Sequence, residues 1–95
     1  MTKYILKLFV NADHPRSKSA IENLRQICES ELKGRYELVI VDVMQEPERA
    51  EEDQVMTTPT LVMELPGPLR TVIGDLGDKE KVLKGLQVVV AETDR

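Results

Sequence analysis

Few side chains in this chain are equipped for chemistry. The 95 residues hold one cysteine, Cys28, and one histidine, His14. A single thiol cannot close an intramolecular disulfide or supply half of a Cys-x-x-Cys redox pair. Acting alone it would have to be a thiolate, which needs positive charge nearby. The near neighbours of Cys28 are Glu29 and Glu31, and it falls between Leu24 and Leu32 in a helical pattern, so a semi-buried, inert thiol is expected. His14 lies in the polar stretch Asn11-Ala12-Asp13-His14-Pro15-Arg16-Ser17 with only Asp13 beside it. A metal site needs further ligands, and the sequence does not cluster them. His14 therefore reads as a solvated loop residue. No catalytic, metal-ligating or cofactor-binding residue is assigned, and no enzyme activity is expected. What remains is an acidic run, Glu48, Glu51, Glu52 and Asp53, which is either a solvated helix face or a surface for a partner.

Composition narrows the classes further. A net charge of -4 without a basic block argues against nucleic-acid binding, which usually needs a positive stripe. The chain is 41% hydrophobic and 32% charged with mixed sign, as in a folded protein, and its length suits one domain over residues 1–95 with one core. No apolar run approaches the roughly 20 residues of a membrane-spanning helix. Met1-Thr2-Lys3 runs directly into a strand pattern, so no signal peptide is expected and the cytoplasm is the expected compartment.

The elements that must carry these residues follow from periodicity. Tyr4-Ile5-Leu6-Lys7-Leu8-Phe9-Val10 is nearly all apolar and predicts a central strand buried on both faces. Ser17 or Ser19 is the expected cap of the next helix, whose apolar positions Ala20, Ile21, Leu24, Ile27, Cys28 and Leu32 share one face. Gly34 is expected to end it in a left-handed conformation. A second strand spans Tyr36 to Val43, and strand, helix and strand make one parallel βαβ unit. Pro47 suits the first turn of a short acidic helix that Thr57-Thr58-Pro59 should stop. Thr60 to Leu65 and Leu69 to Gly74 read as strands joined by a turn at Pro66-Gly67. Asp78 should cap a last helix with Val82, Leu83, Leu86, Val89 and Val90 on one face. The order predicts a thioredoxin-like βαβαββα domain of the α/β class. Its first and third strands should be central, and its second and fourth should be edges. Where redox thioredoxins carry Cys-x-x-Cys, after the first strand, this chain has no thiol.

The chain resembles the KaiB family, the small proteins of the cyanobacterial circadian oscillator and their relatives outside the clock. The resemblance is carried by Tyr4-Ile5-Leu6-Lys7-Leu8-Phe9-Val10, Val41-Asp42-Val43, Ala50-Glu51-Glu52-Asp53, Thr57-Thr58-Pro59-Thr60-Leu61, Val72-Ile73-Gly74-Asp75-Leu76 and Glu80-Lys81-Val82-Leu83 ahead of Gly85-Leu86. It implies a non-enzymatic regulator that docks, as a thioredoxin-like monomer, on the ATPase ring of a KaiC-type protein. It also implies a second fold, a non-binding tetramer with the half after Pro59 rearranged. By position, the resemblance makes Glu37, Val39, Glu48 and Gln54 candidate partner contacts. It makes Pro59, Pro66, Gly67, Pro68, Gly85 and Gln87 candidates for the fold exchange. Pro59 sits where thioredoxin-like proteins carry a cis proline.

The chain departs from the clock proteins in three ways. It ends at Glu92-Thr93-Asp94-Arg95 without an acidic tail, it has Pro66-Gly67-Pro68 where they have three prolines, and it has Gln87 where they have an acidic residue. These departures suit a divergent paralogue. Leu86-Gln87-Val88-Val89-Val90-Ala91 has strand propensity as well as a helical apolar face, the ambiguity that two packings of one sequence require. The turn at Pro66-Gly67 and the capped last helix favour the monomer. Gly85 is either a helix defect or a close-packing position; as a defect, its replacement by alanine would stabilise the helix by about 1 kcal/mol. The competing function is a redox or stress protein on a thioredoxin scaffold, which would need Cys28 to act alone.

Overall fold

The computed structural model describes residues 3–87. The elements run β1 (Tyr4–Val10), α1 (Pro15–Glu31), β2 (Tyr36–Asp42), α2 (Pro47–Glu52), β3 (Thr60–Leu65), β4 (Arg70–Ile73) and α3 (Lys79–Leu86). The sheet order is β2-β1-β3-β4, with β1 and β2 parallel and the other neighbours antiparallel. The expected central and edge strands are thus in place.

Side chains alternate across the sheet, which divides the apolar residues into two cores. Tyr4, Leu6, Leu8 and Val10 of β1 face α1 and α3, with Leu61 and Met63 of β3, and meet Ala20, Leu24, Ile27, Cys28, Val82, Leu83 and Leu86. On the opposite face Phe9, Val41 and Val62 form a smaller cluster, covered by Val43, Ala50 and Val55. Each large apolar side chain fully removed from water contributes about 1.5–3 kcal/mol. The first face therefore carries most of the stability. The expectation of a first strand buried on both faces holds only in part. Ile5 and Lys7 are half-buried, because α2 is too short to cover the whole second face.

Several boundaries differ from expectation. α1 is capped by His14, not by Ser17 or Ser19: His14 Nδ1 accepts from the Arg16 amide at 3.1 Å. Pro15 is the reason. It fits the first helical position, and it holds the residue before it in an extended conformation (His14 φ -93, ψ 133). Ser17 lies buried inside the helix, its Oγ accepting from the Asn11 amide at 3.0 Å. α1 closes at Leu32, and Gly34 takes its left-handed conformation (φ 76) two residues later. α2 begins with Pro47 as expected but ends at Glu52, with Gln54 left-handed (φ 58), so its stop precedes Thr57-Thr58-Pro59.

The β3–β4 connection is wider than a tight Pro-Gly turn. In a turn of Leu65-Pro66-Gly67-Pro68 the closing hydrogen bond would come from the amide of the last residue, and proline has none. Thr60 to Met63 pair with Ile73 to Arg70, and the bonds before Pro66 and Pro68 are cis. Gly67 lies outside the left-handed region that such a turn needs. α3 is capped by Asp78, whose carboxylate accepts from the Lys81 amide at 3.1 Å, and it closes on left-handed Gln87. Val89, Val90 and the strand-prone stretch from Val88 lie outside the described residues.

Candidate functional site

The parallel register places Glu37, Val39 and Val41 of edge strand β2 beside Ile5, Lys7 and Phe9 of β1, all on the α2 side of the sheet. Val41 is covered, whereas Val39 is 39% exposed where the cover ends. Glu37 lies further along the same exposed row and pairs with Lys3 at 2.7 Å. Edge and open face thus meet along one side of the molecule, offering unpaired backbone groups next to an apolar side chain.

Lys7 occupies the centre of the open face. Its ammonium donates to Glu64 on β3 at 2.7 Å and to Asp53, just after α2, at 3.1 Å. The Glu64 hydrogen bond, helped by Asp53, raises the Lys7 pKa above the ordinary lysine value against the opposing cost of burial. The triad ties the end of α2 to β1 and β3. It therefore fixes Gln54, the next residue, at the border of the sheet face. Gln54 is exposed and lines a groove with Pro47, Ala50, Glu51, Val55 and Met56. Glu48 is exposed on the first turn of α2. Of the four candidate contacts, Glu37 and Val39 share one strand face, while Gln54 and Glu48 bracket the helix beside it. Sequence reasoning passed over Lys7 and Met56. The signal for Lys7 was a lone charge at the midpoint of an apolar strand, which must find partners when half-buried. Met56, at 92% exposure, had no sequence signal beyond an apolar residue in a polar stretch.

The fold-exchange candidates have definite places. Pro59 is buried after a cis bond, and its carbonyl accepts from the Gly74 amide at 3.1 Å. Pro66, Gly67 and Pro68 form the exposed hairpin end. Gln87 Oε1 accepts from Arg70 Nη2 at 2.8 Å, joining the end of α3 to β4. A Cβ on Gly85 would stand 2.9 Å from Cγ2 of Val72, so Gly85 is a close-packing position.

The loop between β1 and α1 closes on itself. Asn11 Oδ1 accepts from the Asp13 amide at 3.2 Å, and the His14 amide donates to the Asn11 carbonyl at 2.9 Å. Cys28 is fully buried, and burial, with Glu29 adjacent, pushes its thiol up to about 12. A buried thiol held protonated is a poor nucleophile at neutral pH. Among the described residues no group of three or more His, Cys, Asp and Glu could hold a metal ion, and no helix is long and apolar enough to cross a membrane.

A thioredoxin-like α/β domain with no thiol at the head of its first helix defines the class: a thioredoxin-like scaffold without the dithiol of redox thioredoxins. The germline-specific thioredoxin Deadhead of Drosophila melanogaster superposes with a TM-score of 0.74 at 18% identity, covering 92% of this chain and 82% of that one. The N-terminal domain of Synechococcus elongatus SasA does so with a TM-score of 0.73 at 24% identity, covering 92% of this chain and 86% of that domain. The KaiB domain model matches residues 7–88, and the chain belongs to the KaiB family of circadian clock proteins. It is 51% identical over 89 residues to the circadian clock oscillator protein KaiB of Prochlorococcus marinus strain MIT 9312, covering 94% of this chain and 85% of that protein. It is 44% identical to the circadian clock protein KaiB3 of Synechocystis, covering 94% and 87%.

Proposed function

We propose that this chain is a non-enzymatic, cytoplasmic regulator that docks as a thioredoxin-like monomer on a KaiC-type ATPase ring. The docking surface is the β2 edge with the neighbouring α2 region, through Glu37, Val39, Glu48 and Gln54. The observation that carries the reading is the half-covered sheet face: an edge strand with exposed Val39 beside a helix pinned by Lys7, in a member of a clock-protein family. Rearrangement of the half after Pro59 into a tetramer is the accompanying proposal for how docking is gated. The redox alternative is disfavoured by Cys28, which is buried and held protonated.

Co-sedimentation or size-exclusion binding to a purified KaiC-type hexamer tests the surface. Val39→Glu and Glu48→Lys should each weaken the complex while leaving the far-ultraviolet spectrum unchanged. Wild-type affinity in both variants would remove this surface from the docking site.

A further inference from the structure

The groove beside α2 carries a preference of its own. It is lined by Pro47, Ala50, Val55 and Met56 together with the polar Glu51 and Gln54, and its volume is about 640 Å3. A small-molecule site buries most of its ligand in an enclosed cleft. This groove is open to solvent, and Met56 stands in it 92% exposed. An unbranched, polarizable thioether adapts to a side chain brought by another protein.

Charge selects the occupant. From Glu46 to Asp53 the chain carries Glu46, Glu48, Glu51, Glu52 and Asp53 against the single cation Arg49. Arg49 is held by Glu46 at 3.4 Å, and Asp53 is held by Lys7 at 3.1 Å. Among the described residues no ion pair engages Glu48, Glu51 or Glu52. Glu48 sits four residues before Glu52 and three before Glu51, a spacing at which like charges repel on a helix. An incoming cation relieves that repulsion.

We infer that this groove receives an apolar side chain carried on a positively charged segment of a partner protein, with Met56 as the apolar contact and Glu51 selecting Arg or Lys beside it. The inference rests on the docking reading for which face is used, and it adds the partner's chemistry.

The test uses the full chain with methyl-labelled methionine. Met63, 2% exposed in the core, reports on integrity, and Met44, 69% exposed in the turn before α2, reports on non-specific coating. The probe is a peptide of alternating Leu and Arg, compared with the same peptide carrying Glu for Arg. The Arg peptide is expected to shift the Met56 methyl with Met63 unmoved and Met44 little changed. Met56→Ser and Glu51→Lys should each weaken it about tenfold, as for loss of an anchor residue. Equal binding of the Glu peptide, or shifts that leave Met56 in place, overturns the inference. A KaiC-type ring is the second probe. Ring binding that survives Met56→Ser and Glu51→Lys overturns the groove while leaving the docking reading intact. Groove binding of the Arg peptide without any ring binding supports the groove and overturns docking on that ring.

Discussion

At the scale of single residues, Lys7 organises the open face of the sheet and Cys28 bears on the redox alternative from inside the core. Lys7 is placed where an apolar strand would ordinarily bury a hydrocarbon, and it is kept charged by Glu64 and Asp53. Its pKa is raised in the fold, so the stabilisation is fully present below the ordinary lysine pKa of about 10.4 and is lost as pH rises through the higher folded value. Lys7→Met should cost about 1–3 kcal/mol, since it leaves two half-buried carboxylates facing each other without a cation. Urea unfolding should show this as a lower midpoint with unchanged slope. Wild type should also lose stability above about pH 10 relative to Lys7→Met. Parallel pH profiles would show that the triad contributes nothing.

Cys28 makes the complementary point. Its thiol is buried and pushed up to about 12, so the folded chain should resist iodoacetamide at pH 8 and label only as fast as it opens. Labelling at the rate of a free thiol would revive the redox reading. The two residues were unequally legible. The helical apolar pattern around Cys28 pointed to a semi-buried thiol, and the structure buries it fully. Lys7 hid because its partners are 46 positions away, at Asp53, and across the sheet, at Glu64.

At the scale of elements, period and composition gave the strands and helices, and tertiary constraint set the exceptions. The apolar run of β1 and the apolar face of α1 were readable because the two pack against each other, but the run did not reveal that Ile5 and Lys7 stay half-buried. His14 takes the cap position in place of the serines because Pro15 fixes the helix start one residue after it. The tight turn that Pro66-Gly67 suggests lacks its closing hydrogen bond because the amide it needs would belong to the following residue, Pro68. Gly85 is the clearest case of a contact that no local pattern reveals. Alanine in a helix interior is worth about 1 kcal/mol over glycine, which predicts a stabilising Gly85→Ala. The new methyl group, however, would stand 2.9 Å from Cγ2 of Val72, a side chain stiff at its first torsion. Gly85→Ala should therefore gain less than the helix value, and Val72→Ala in the same chain should recover the difference. A four-variant urea cycle measures the coupling directly. A coupling of zero would return Gly85 to the status of a simple helix defect.

At the scale of the molecule, the question is whether the half after Pro59 stays where it is. That half supplies β3, which pairs with β1, and it places Leu61, Met63, Val82, Leu83 and Leu86 in the main core. Among the described residues, the polar links that hold it to the first half include Lys7 to Glu64, Lys79 to Glu31, and Asn23 Nδ2 donating to the Asp75 carbonyl at 2.8 Å. Any tetramer built by refolding residues after Pro59 must release all of these before its own interfaces repay the cost. That repayment depends on protein concentration, whereas the monomer's contacts do not. Dilution therefore favours the thioredoxin-like state. At micromolar concentration, light scattering should give the mass of one chain. Secondary chemical shifts should be strand-like over Thr60–Leu65 and Arg70–Ile73 and helical over Lys79–Leu86. Charge reversal at Glu64 cuts one link and puts a second cation beside Lys7, so Glu64→Lys should raise any tetramer fraction at fixed concentration. A tetrameric mass at micromolar wild type, with helical shifts before residue 74, would mean that the cross-half contacts lose to assembly and that partner binding waits on refolding.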